Sequence, residues 1–311
     1  MIKRIVFAAI MVASPPASAQ RAELPVRLVA LPNGDRRFAT TLTIDGRSVE
    51  VGIDTGSTGL RVLPRGLGGR TDTPAGPKVT YRYDVGTAIE GEAVVVPVAA
   101  GPIAGPVKLM RIAAIGCTPA HPDCPAARAV LSTYGIQSDG IAGQGFAAIL
   151  GIRLKHDEID NPFAQLGIRR WIVELPRSAT EQGRIVLNPT DAEIAGYARI
   201  AVDRDGTTPG CLVGPQRICG RAFFDSGAAG LRVLRDAPFR PWANGTPATI
   251  SVGSGAATRS IAVTIGRRDQ ASGLFYARRD GDTRLSLGFA PYFRWSVLYD
   301  TDEREIGVKP R

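Results

Sequence analysis

The chain has 311 residues, with 38 Lys or Arg against 29 Asp or Glu, so its formal net charge is +9. Its hydrophobic share of 44% is enough for a folded core and excludes a wholly disordered chain. Its 4 Cys are too few for a scaffold built from disulfides, and its 36 Gly and 23 Pro favour short strands and turns over long helices. We therefore predict an all-β protein with a few short helices.

The N-terminal segment, residues 1–19, has the pattern of a secretory signal peptide. A basic start at Lys3 and Arg4 is followed by the short apolar run Ile5 to Ala13. Ala17-Ser18-Ala19 is a small-residue cleavage site. The apolar run is too short to span a bilayer, and no later stretch reaches about 18 uninterrupted apolar residues. We predict an exported protein, periplasmic or secreted, without stable membrane insertion and with a charge of about +7 once Lys3 and Arg4 are removed.

Strand-like segments then follow one another along the chain. A hairpin is predicted where Phe38–Ile44 and Arg47–Ile53 flank the turn residues Asp45-Gly46. Further strands are predicted at Ala93–Val98, Val107–Ile115, Arg184–Leu187, Ala198–Val202, Thr249–Val252, Ser260–Ile265 and Trp295–Asp300. Short helices are predicted at Asn161–Leu166, Thr190–Ile194 and Phe289–Arg294.

Export changes the interpretation of the four cysteines. Cys117 and Cys124 are seven positions apart, and Cys211 and Cys219 are eight apart. In an oxidising compartment each pair can close a small loop, so the local pairings Cys117–Cys124 and Cys211–Cys219 are the simplest prediction, although spacing does not determine connectivity. A four-Cys zinc site is the alternative, but neither pair has the usual C-x₂-C spacing.

An internal repeat is the most informative feature. Residues 54–63 read DTGSTGLRVL and residues 225–234 read DSGAAGLRVL, with seven of ten positions identical and the two copies 171 positions apart. This separation is far longer than the period of a solenoid and indicates two homologous halves. Each copy follows a strand-like run and continues into another, so each Asp is predicted to lie in a tight Gly-containing turn between strands.

Asp54 and Asp225 head the two copies of the repeat. A single Asp in such a turn is ordinarily a turn cap that bonds nearby amides. Two copies related by a pseudo-two-fold axis would instead bring the two carboxyl groups together, where they tend to share one proton, as in the aspartic proteases. One carboxylate then acts as a general base on water while its protonated partner polarises a carbonyl. This chemistry needs no metal, no cofactor and no His.

The residues beside the two acids are predicted to support them. Gly56 and Gly227 allow a close approach of backbone amides to the carboxylates. The hydroxyls of Thr55 and Ser226 are placed to bond across to the opposite turn. Ser57 can bond Asp54, whereas Ala228 offers nothing equivalent to Asp225, so the two acids are predicted to be inequivalent.

Beyond the repeat, the chain resembles the pepsin-like, bilobal aspartic peptidases over nearly its whole mature length. The matching segments are Phe38–Leu42 with Asp54–Ser57, Ser138–Gly143, Cys219–Gly227, Leu285–Gly288, Tyr292–Arg294, Val297–Asp300 and Ile306–Val308. The resemblance implies two pseudo-symmetric, β-barrel-like lobes, with residues 38–190 in the N-terminal lobe and 191–311 in the C-terminal lobe. It also implies that Ser138–Gly143 supports the first active-site loop, and that residues 20–37 form a short N-terminal extension.

The family has a flap, a hairpin carrying a Tyr that closes over the substrate. Tyr83, Gly86 and Thr87 resemble it, and Tyr81 is a rival for the Tyr; an ordinary exposed hairpin is the alternative. The family's usual Trp after the first loop aligns with Arg61, so the customary Trp–Tyr contact is predicted to be absent.

Other prominent residues receive ordinary interpretations. Arg61 and Arg232 occupy matching positions in the repeat and are expected to point to solvent, although a nearby cation would favour the ionised dyad. His121 and His156 are expected on the surface, and Trp171, Trp242 and Trp295 in the core or a groove wall. The arginines are scattered rather than clustered with aromatics, which argues against nucleic-acid binding.

Taken together, the sequence predicts an exported, monomeric endopeptidase that binds a polypeptide in a cleft between the lobes. The alternative is a catalytically silent pepsin-like binding or inhibitor protein, which would usually have lost an acid or its Gly. A serine hydrolase is disfavoured because no G-x-S-x-G motif is present.

Overall fold

The structure is a computed structural model that describes residues 20–68, 74 and 76–311. The predicted signal peptide lies outside the described residues. Within them the chain is all-β, as predicted, with twenty strands and two four-residue α-helices. The strands are β1 Ala22–Ala30, β2 Arg36–Ile44, β3 Arg47–Asp54, β4 Thr58–Val62, β5 Lys78–Arg82, β6 Thr87–Ala100, β7 Ile103–Cys117, β8 Ala148–Ile152, β9 Arg170–Glu174, β10 Gly183–Leu187, β11 Ala198–Ala201, β12 Thr208–Val213, β13 Arg217–Phe223, β14 Leu231–Arg235, β15 Pro247–Val252, β16 Arg259–Thr264, β17 Leu274–Arg278, β18 Arg284–Ser286, β19 Trp295–Asp300 and β20 Glu305–Pro310.

The three predicted helices are confirmed as short turns of helix. They are α1 Pro162–Gln165, α2 Asp191–Ile194 and a 3₁₀ turn at Pro291–Phe293. Thr190 begins α2 with a capping box, in which its side chain accepts from the backbone of Glu193 and the Glu193 carboxylate accepts from the backbone of Thr190. No helix of the described residues is long and apolar enough to cross a membrane.

The described strands form two sheets. The larger has the order β11-β20-β19-β9-β10-β1-β2-β3-β8-β4-β7-β6-β5, with an additional pairing between β2 and β6. The smaller has the order β16-β15-β12-β13-β18-β14-β17. The two copies of the repeat therefore lie in different sheets, because Asp54 ends β3 in the first and Asp225 follows β13 in the second.

The strands around the two Asp turns are arranged equivalently. β8 runs parallel to β3 and antiparallel to β4, and β18 runs parallel to β13 and antiparallel to β14. A further parallel strand follows in each sheet, β7 beside β4 and β17 beside β14. The duplication read from the sequence is therefore also a duplication of strand topology.

One expectation about a segment needs correction, and a second segment contains a strand that was not predicted. Ser138–Gly143, predicted to support the first loop, forms turns, and the strand that pairs beside this loop is β8. Residues 20–37 contain strand β1, which lies between β10 and β2 within the large sheet. The alternation of buried and exposed residues in Ala22-Glu23-Leu24-Pro25-Val26 accounts for this strand.

The three Trp residues belong to the interior, as expected. Trp171 is fully buried and stacks on Tyr299 with ring centroids 5.6 Å apart. Trp295 is also buried, and Trp242 is partly buried against Phe239. His156 is exposed, whereas His121 is half-buried beside Gly86.

Both predicted disulfides are present. Cys211 and Cys219 face each other across the β12–β13 pair. Cys117–Cys124 closes a loop at the end of β7, where the amide of Thr118 donates to the carbonyl of Gly86 at 2.8 Å. This second loop therefore packs against the turn of the β5–β6 hairpin.

We predict that replacing both cysteines of either pair with Ser lowers the free energy of unfolding by about 2 kcal/mol, because opening a short loop restores entropy to the unfolded chain. Only the Cys117→Ser/Cys124→Ser variant should also accelerate hydrogen exchange in the turn at Gly86, and the Cys211→Ser/Cys219→Ser variant is its control. Urea unfolding and hydrogen-exchange mass spectrometry measure the two effects. Equal acceleration in both variants would contradict the local role of Cys117–Cys124.

Candidate active site

The two Asp turns meet face to face. We call residues 54–57 the first Asp loop and residues 225–228 the second. The amide of Thr55 donates to the Ser226 hydroxyl at 3.0 Å, and the amide of Ser226 donates to the Thr55 hydroxyl at 2.9 Å. The Ser226 hydroxyl also donates to the carbonyl of Ile53 at 2.9 Å. The predicted crosswise bonding of these two hydroxyls is thus present.

The hydroxyl of Thr55 is held from a third direction. Tyr292 donates to it at 2.7 Å, and the Tyr292 hydroxyl is itself hydrogen-bonded to that of Tyr299. Burial raises the pKa of both tyrosines, so both remain neutral donors. Because these groups are all buried and paired, the junction between the loops is a rigid neutral network.

The two carboxyl groups lie at this junction, each against the glycine of the opposite loop. A Cβ added to Gly56 would lie 2.4 Å from Oδ1 of Asp225, and one added to Gly227 would lie 2.8 Å from Oδ1 of Asp54. Such distances are shorter than any real Cβ contact, so a side chain at either position would displace a carboxylate. The structure therefore brings together the two acids and the two glycines predicted to surround them.

Asp54 is buried and its carboxylate accepts three hydrogen bonds. Its Oδ1 accepts from the amides of Gly56 at 2.8 Å and Ser57 at 3.2 Å, and its Oδ2 accepts from the Ser57 hydroxyl at 2.7 Å. Donors of this kind stabilise the ionised form of a carboxylate.

Asp225 is half-buried, and its carboxylate accepts two hydrogen bonds. Oδ1 accepts from the amide of Gly227 at 3.1 Å, and Oδ2 accepts from the hydroxyl of Ser286 at 2.6 Å. Ala228, the counterpart of Ser57 in the repeat, supplies no hydroxyl, as predicted, and Asp225 instead accepts from the hydroxyl of Ser286 in β18. Sequence reasoning missed Ser286 because it lies 61 positions away from Asp225 and outside the repeat.

The electrostatic environment favours a proton on Asp225. Burial first, and then the neighbouring charge of Asp54, raise the pKa of Asp225 to about 6, against opposing effects of Ser286 and Arg232. This raised pKa lets Asp225 hold a proton at acid pH, beside an Asp54 carboxylate that three hydrogen-bond donors face.

The β5–β6 hairpin contributes residues to the cleft that the two acids also line. The turn closes with the amide of Gly86 donating to the carbonyl of Tyr83 at 2.8 Å, and Gly86 adopts a φ of +88° that favours glycine. Tyr81, Tyr83 and Thr87, together with Val85 at the turn, line the cleft. Of the predicted flap residues, Tyr83 and Thr87 line the cleft, and Gly86 lies in the turn of the hairpin.

Arg61 is the clearest departure from the expectations at the site. It was expected to point to solvent, but only 1% of it is exposed, and its guanidinium lies 3.5 Å from the ring centroid of Tyr81. Its Nη2 donates to the carbonyl of Thr58 at 2.6 Å. Burial in this packing raises the pKa of Tyr81 to about 12. Arg61 therefore anchors the hairpin through Tyr81, where the resemblance implied that a Trp contact was lost.

The two tyrosines of the hairpin differ in their surroundings. Tyr81 packs on Arg61, whereas the hydroxyl of Tyr83 is buried and finds no hydrogen-bond partner within the described part of the chain. The two rings touch edge to face with centroids 4.9 Å apart. Tyr81 is therefore the anchored ring, and Tyr83 lines the cleft with a buried hydroxyl that has no described partner.

Arg153 braces the first Asp loop from behind. Its Nη1 donates to the carbonyl of Gly56 at 3.0 Å, its backbone amide donates to the carbonyl of Ser57 at 2.9 Å, and its guanidinium lies 4.2 Å from the ring centroid of Phe223. Arg153 was not among the predicted residues, because no local motif distinguishes it from the many other arginines of the chain.

The cleft has a volume of about 500 Å³ and is lined by residues of both Asp loops, the hairpin and the strands behind them. Phe275, which is 51% exposed, and Val85, which is 40% exposed, supply apolar surface. Arg232 lines the cleft and is half-buried, so unlike Arg61 it stays in contact with solvent. Among the described residues no group of three or more His, Cys, Asp or Glu side chains is placed to hold a metal ion.

Comparison with protein-family models and with curated proteins found no match to this chain.

We predict that Asp225→Asn changes the pH dependence of stability. With a pKa of about 6 instead of 3.8, Asp225 stabilises the fold below about pH 4, and this contribution is lost as the pH rises through 6. Relative to Asp225→Asn, wild type should lose up to about 3 kcal/mol of unfolding free energy between pH 4 and 7. Denaturant unfolding at each pH measures this, with the exposed Asp280→Asn as control. Parallel curves for wild type and Asp225→Asn would contradict the raised pKa.

We predict that Arg61→Lys loosens the hairpin, because an ammonium group cannot stack on Tyr81 as the planar guanidinium does. Amide exchange at Gly86 should accelerate about tenfold, while exchange in β19 should not change. Arg232→Lys, at the equivalent position of the repeat, is the matched control. Unchanged exchange at Gly86 in Arg61→Lys would show that the stack does not hold the hairpin.

Proposed function

We propose that this protein is an aspartic endopeptidase of the pepsin-like type, which hydrolyses internal peptide bonds with water activated by Asp54 and Asp225. The observation that carries the proposal is the crosswise pairing of the two Asp loops, which sets both carboxyl groups on the floor of one cleft. The equivalent strand arrangement around the loops supports a bilobal, pseudo-symmetric fold with one active-site loop in each lobe.

The roles of the two acids follow from their environments. Ionised Asp54 accepts a proton from the water, and the water oxygen attacks the carbonyl carbon of the substrate. Protonated Asp225 donates to the carbonyl oxygen, which gives a neutral tetrahedral diol. The bond from carbon to nitrogen then breaks as Asp54 returns its proton to the leaving amine. Asp225 recovers a proton from the diol, and both acids end in their starting states.

The hairpin and the cleft support the choice of a polypeptide substrate. A cleft that lies under a hairpin can hold an extended chain through strand-like backbone bonding, and its walls then select side chains. We assign Tyr83 to a contact with the substrate, because it lines the cleft and its hydroxyl has no described partner, and Tyr81 to the support of the hairpin. The two disulfides favour an exported, oxidising location.

We predict that protein comprising residues 20–311 cleaves an unfolded polypeptide internally, and that Asp54→Asn and Asp225→Asn each lower the rate at least about 1000-fold, because each removes one half of the proton transfer. Mass spectrometry of the products locates the cleavages, and Asp280→Asn is the control. Retention of near wild-type turnover in either Asn variant would refute the dyad. Binding of peptides without any turnover would favour the silent binding protein.

We predict that this activity is present at acid pH and declines as the pH rises through about 6, where Asp225 loses the proton that it must donate. A pH profile of initial rates measures this decline. In a second experiment, a peptide mimic bearing a secondary hydroxyl is added to the assay. The mimic should inhibit, and a chelator should have no effect. An optimum well above pH 7 would contradict a protonated Asp225.

A further inference from the structure

The two Asp loops can be superposed residue by residue through the strand pairing around them. In the first sheet Gly52, two positions before Asp54, pairs with Ile149 of β8. In the second sheet Phe223, two positions before Asp225, pairs with Ser286 of β18. Ile149 and Ser286 are therefore equivalent positions of the duplicated fold.

The antiparallel neighbours of β8 and β18 give the same correspondence. Arg61 of β4 pairs with Ile149, and Arg232 of β14 pairs with Ser286, and these two arginines are the same position of the sequence repeat. Both Ile149 and Ser286 are almost completely buried, and both line the cleft. The parallel and the antiparallel strand pairings thus agree that the hydroxyl of Ser286 and the alkyl side chain of Ile149 occupy equivalent positions.

At a second pair of equivalent positions the hydroxyl is in the first half and is missing from the second. Ser57 of the first Asp loop corresponds to Ala228 of the second, since each lies three positions after its Asp. Ser57 donates to Oδ2 of Asp54 at 2.7 Å, and Ser286 donates to Oδ2 of Asp225 at 2.6 Å. Each acid therefore has one hydroxyl donor on Oδ2, taken from the loop in one half and from the neighbouring strand in the other.

We propose that Ser286 is the positioning residue of Asp225, and that its hydroxyl takes the place of the one that Ala228 lacks. This inference rests on the proposed function only for its effect on catalysis. With Gly227 on Oδ1 and Ser286 on Oδ2, the Asp225 carboxyl is held at both oxygens and its plane is set toward Asp54. Without Ser286 one oxygen would have no described partner in a half-buried position, and the carboxyl could rotate.

The use of Ser286 as the hydroxyl donor also affects which of the two acids holds the proton. A hydroxyl that donates to a carboxylate favours its charged form, so Ser286 opposes the burial that drives a proton onto Asp225. Donation from a strand side chain leaves the loop amide of Ala228 free to bond the Asp225 main-chain carbonyl at 3.2 Å, whereas the equivalent amide of Ser57 donates to the Asp54 carboxylate. The second loop therefore presents fewer donors to its acid, which keeps Asp225 as the proton carrier of the pair.

The test is a titration of the Asp225 carboxyl carbon by ¹³C NMR in protein labelled at Asp, with the resonance assigned by its loss in Asp225→Asn. Four proteins are compared: wild type, Ser286→Ala, Ser286→Thr, and the double variant Ser286→Ala/Ala228→Ser. Ser286→Ala should raise the midpoint by about one pH unit, a roughly tenfold weaker acid. Ser286→Thr retains the hydroxyl and should titrate as wild type. In the double variant the midpoint should return most of the way to the wild-type value, because Ala228→Ser recreates the loop donor seen at Ser57.

An unchanged midpoint in Ser286→Ala, or a raised midpoint that Ala228→Ser does not restore, would overturn the proposal. If Ser286→Ala does not fold, Ser286→Cys keeps the volume with only a weak donor and should shift the midpoint in the same direction. The titration needs no turnover, so it decides the role of Ser286 even if wild type hydrolyses no peptide, a result that would count against the proposed function alone. Where wild type is active, the alkaline limb of the rate profile should move to higher pH in Ser286→Ala and return in the double variant.

Discussion

Two like-charged carboxyl groups repel each other, and the arrangement around Asp54 and Asp225 depends on a neutral clamp that overcomes this repulsion. The clamp consists of the paired amides and hydroxyls of Thr55 and Ser226, which bond reciprocally between the two loops. Its groups are uncharged and buried, so their bonds are strengthened by the low dielectric and are not weakened when the pH changes. Tyr292, bonded to Thr55, extends the clamp into the aromatic core. The clamp holds the two Asp loops together, and the charge of Asp54 then contributes to the raised pKa of Asp225.

The strand pairing around the two Asp loops is equivalent, but the side chains at equivalent positions differ. Arg61 and Arg232 occupy one position of the repeat, yet Arg61 is buried under the hairpin ring of Tyr81 and Arg232 faces the cleft. The difference follows from the surroundings, because the Arg61 guanidinium packs on Tyr81 of the β5–β6 hairpin, whereas Arg232 is half-buried among the residues that line the cleft. Guanidinium stacking then compensates part of the cost of burying Arg61. The cleft therefore has one wall formed by a clamped hairpin and another that carries a solvated cation and the exposed ring of Phe275.

Hydrogen bonds that support the acids come from residues at very different sequence distances. Gly56, Ser57 and Gly227 lie in the same turns as the acids. The backbone geometry of a tight turn is enough to bring their donors to the carboxylates. Ser286 and Arg153 are distant, and they reach the loops only because β18 and the segment after β8 pack beside them. The local donors hold each carboxylate within its own loop, and the distant residues connect the loops to the strands beside them.

The sequence by itself determined the all-β class, the two Asp loops, their glycines and hydroxyls, both disulfides and the three short helices. These features depend on local rules, namely strand alternation, turn chemistry, close cysteine spacing and an internal repeat, and such rules act within a few residues or between identical copies. Other features were decided only by the tertiary structure, because they depend on contacts between distant segments. These features are the position of β1 within the large sheet and the pairing of β8, rather than Ser138–Gly143, beside the first Asp loop. They also include the burial of Arg61 and the contact of Ser286 with Asp225. Each of these outcomes depends on pairing or packing between segments far apart in the chain, where burial of apolar surface and satisfaction of polar groups across the whole fold outweigh the preference of any single residue.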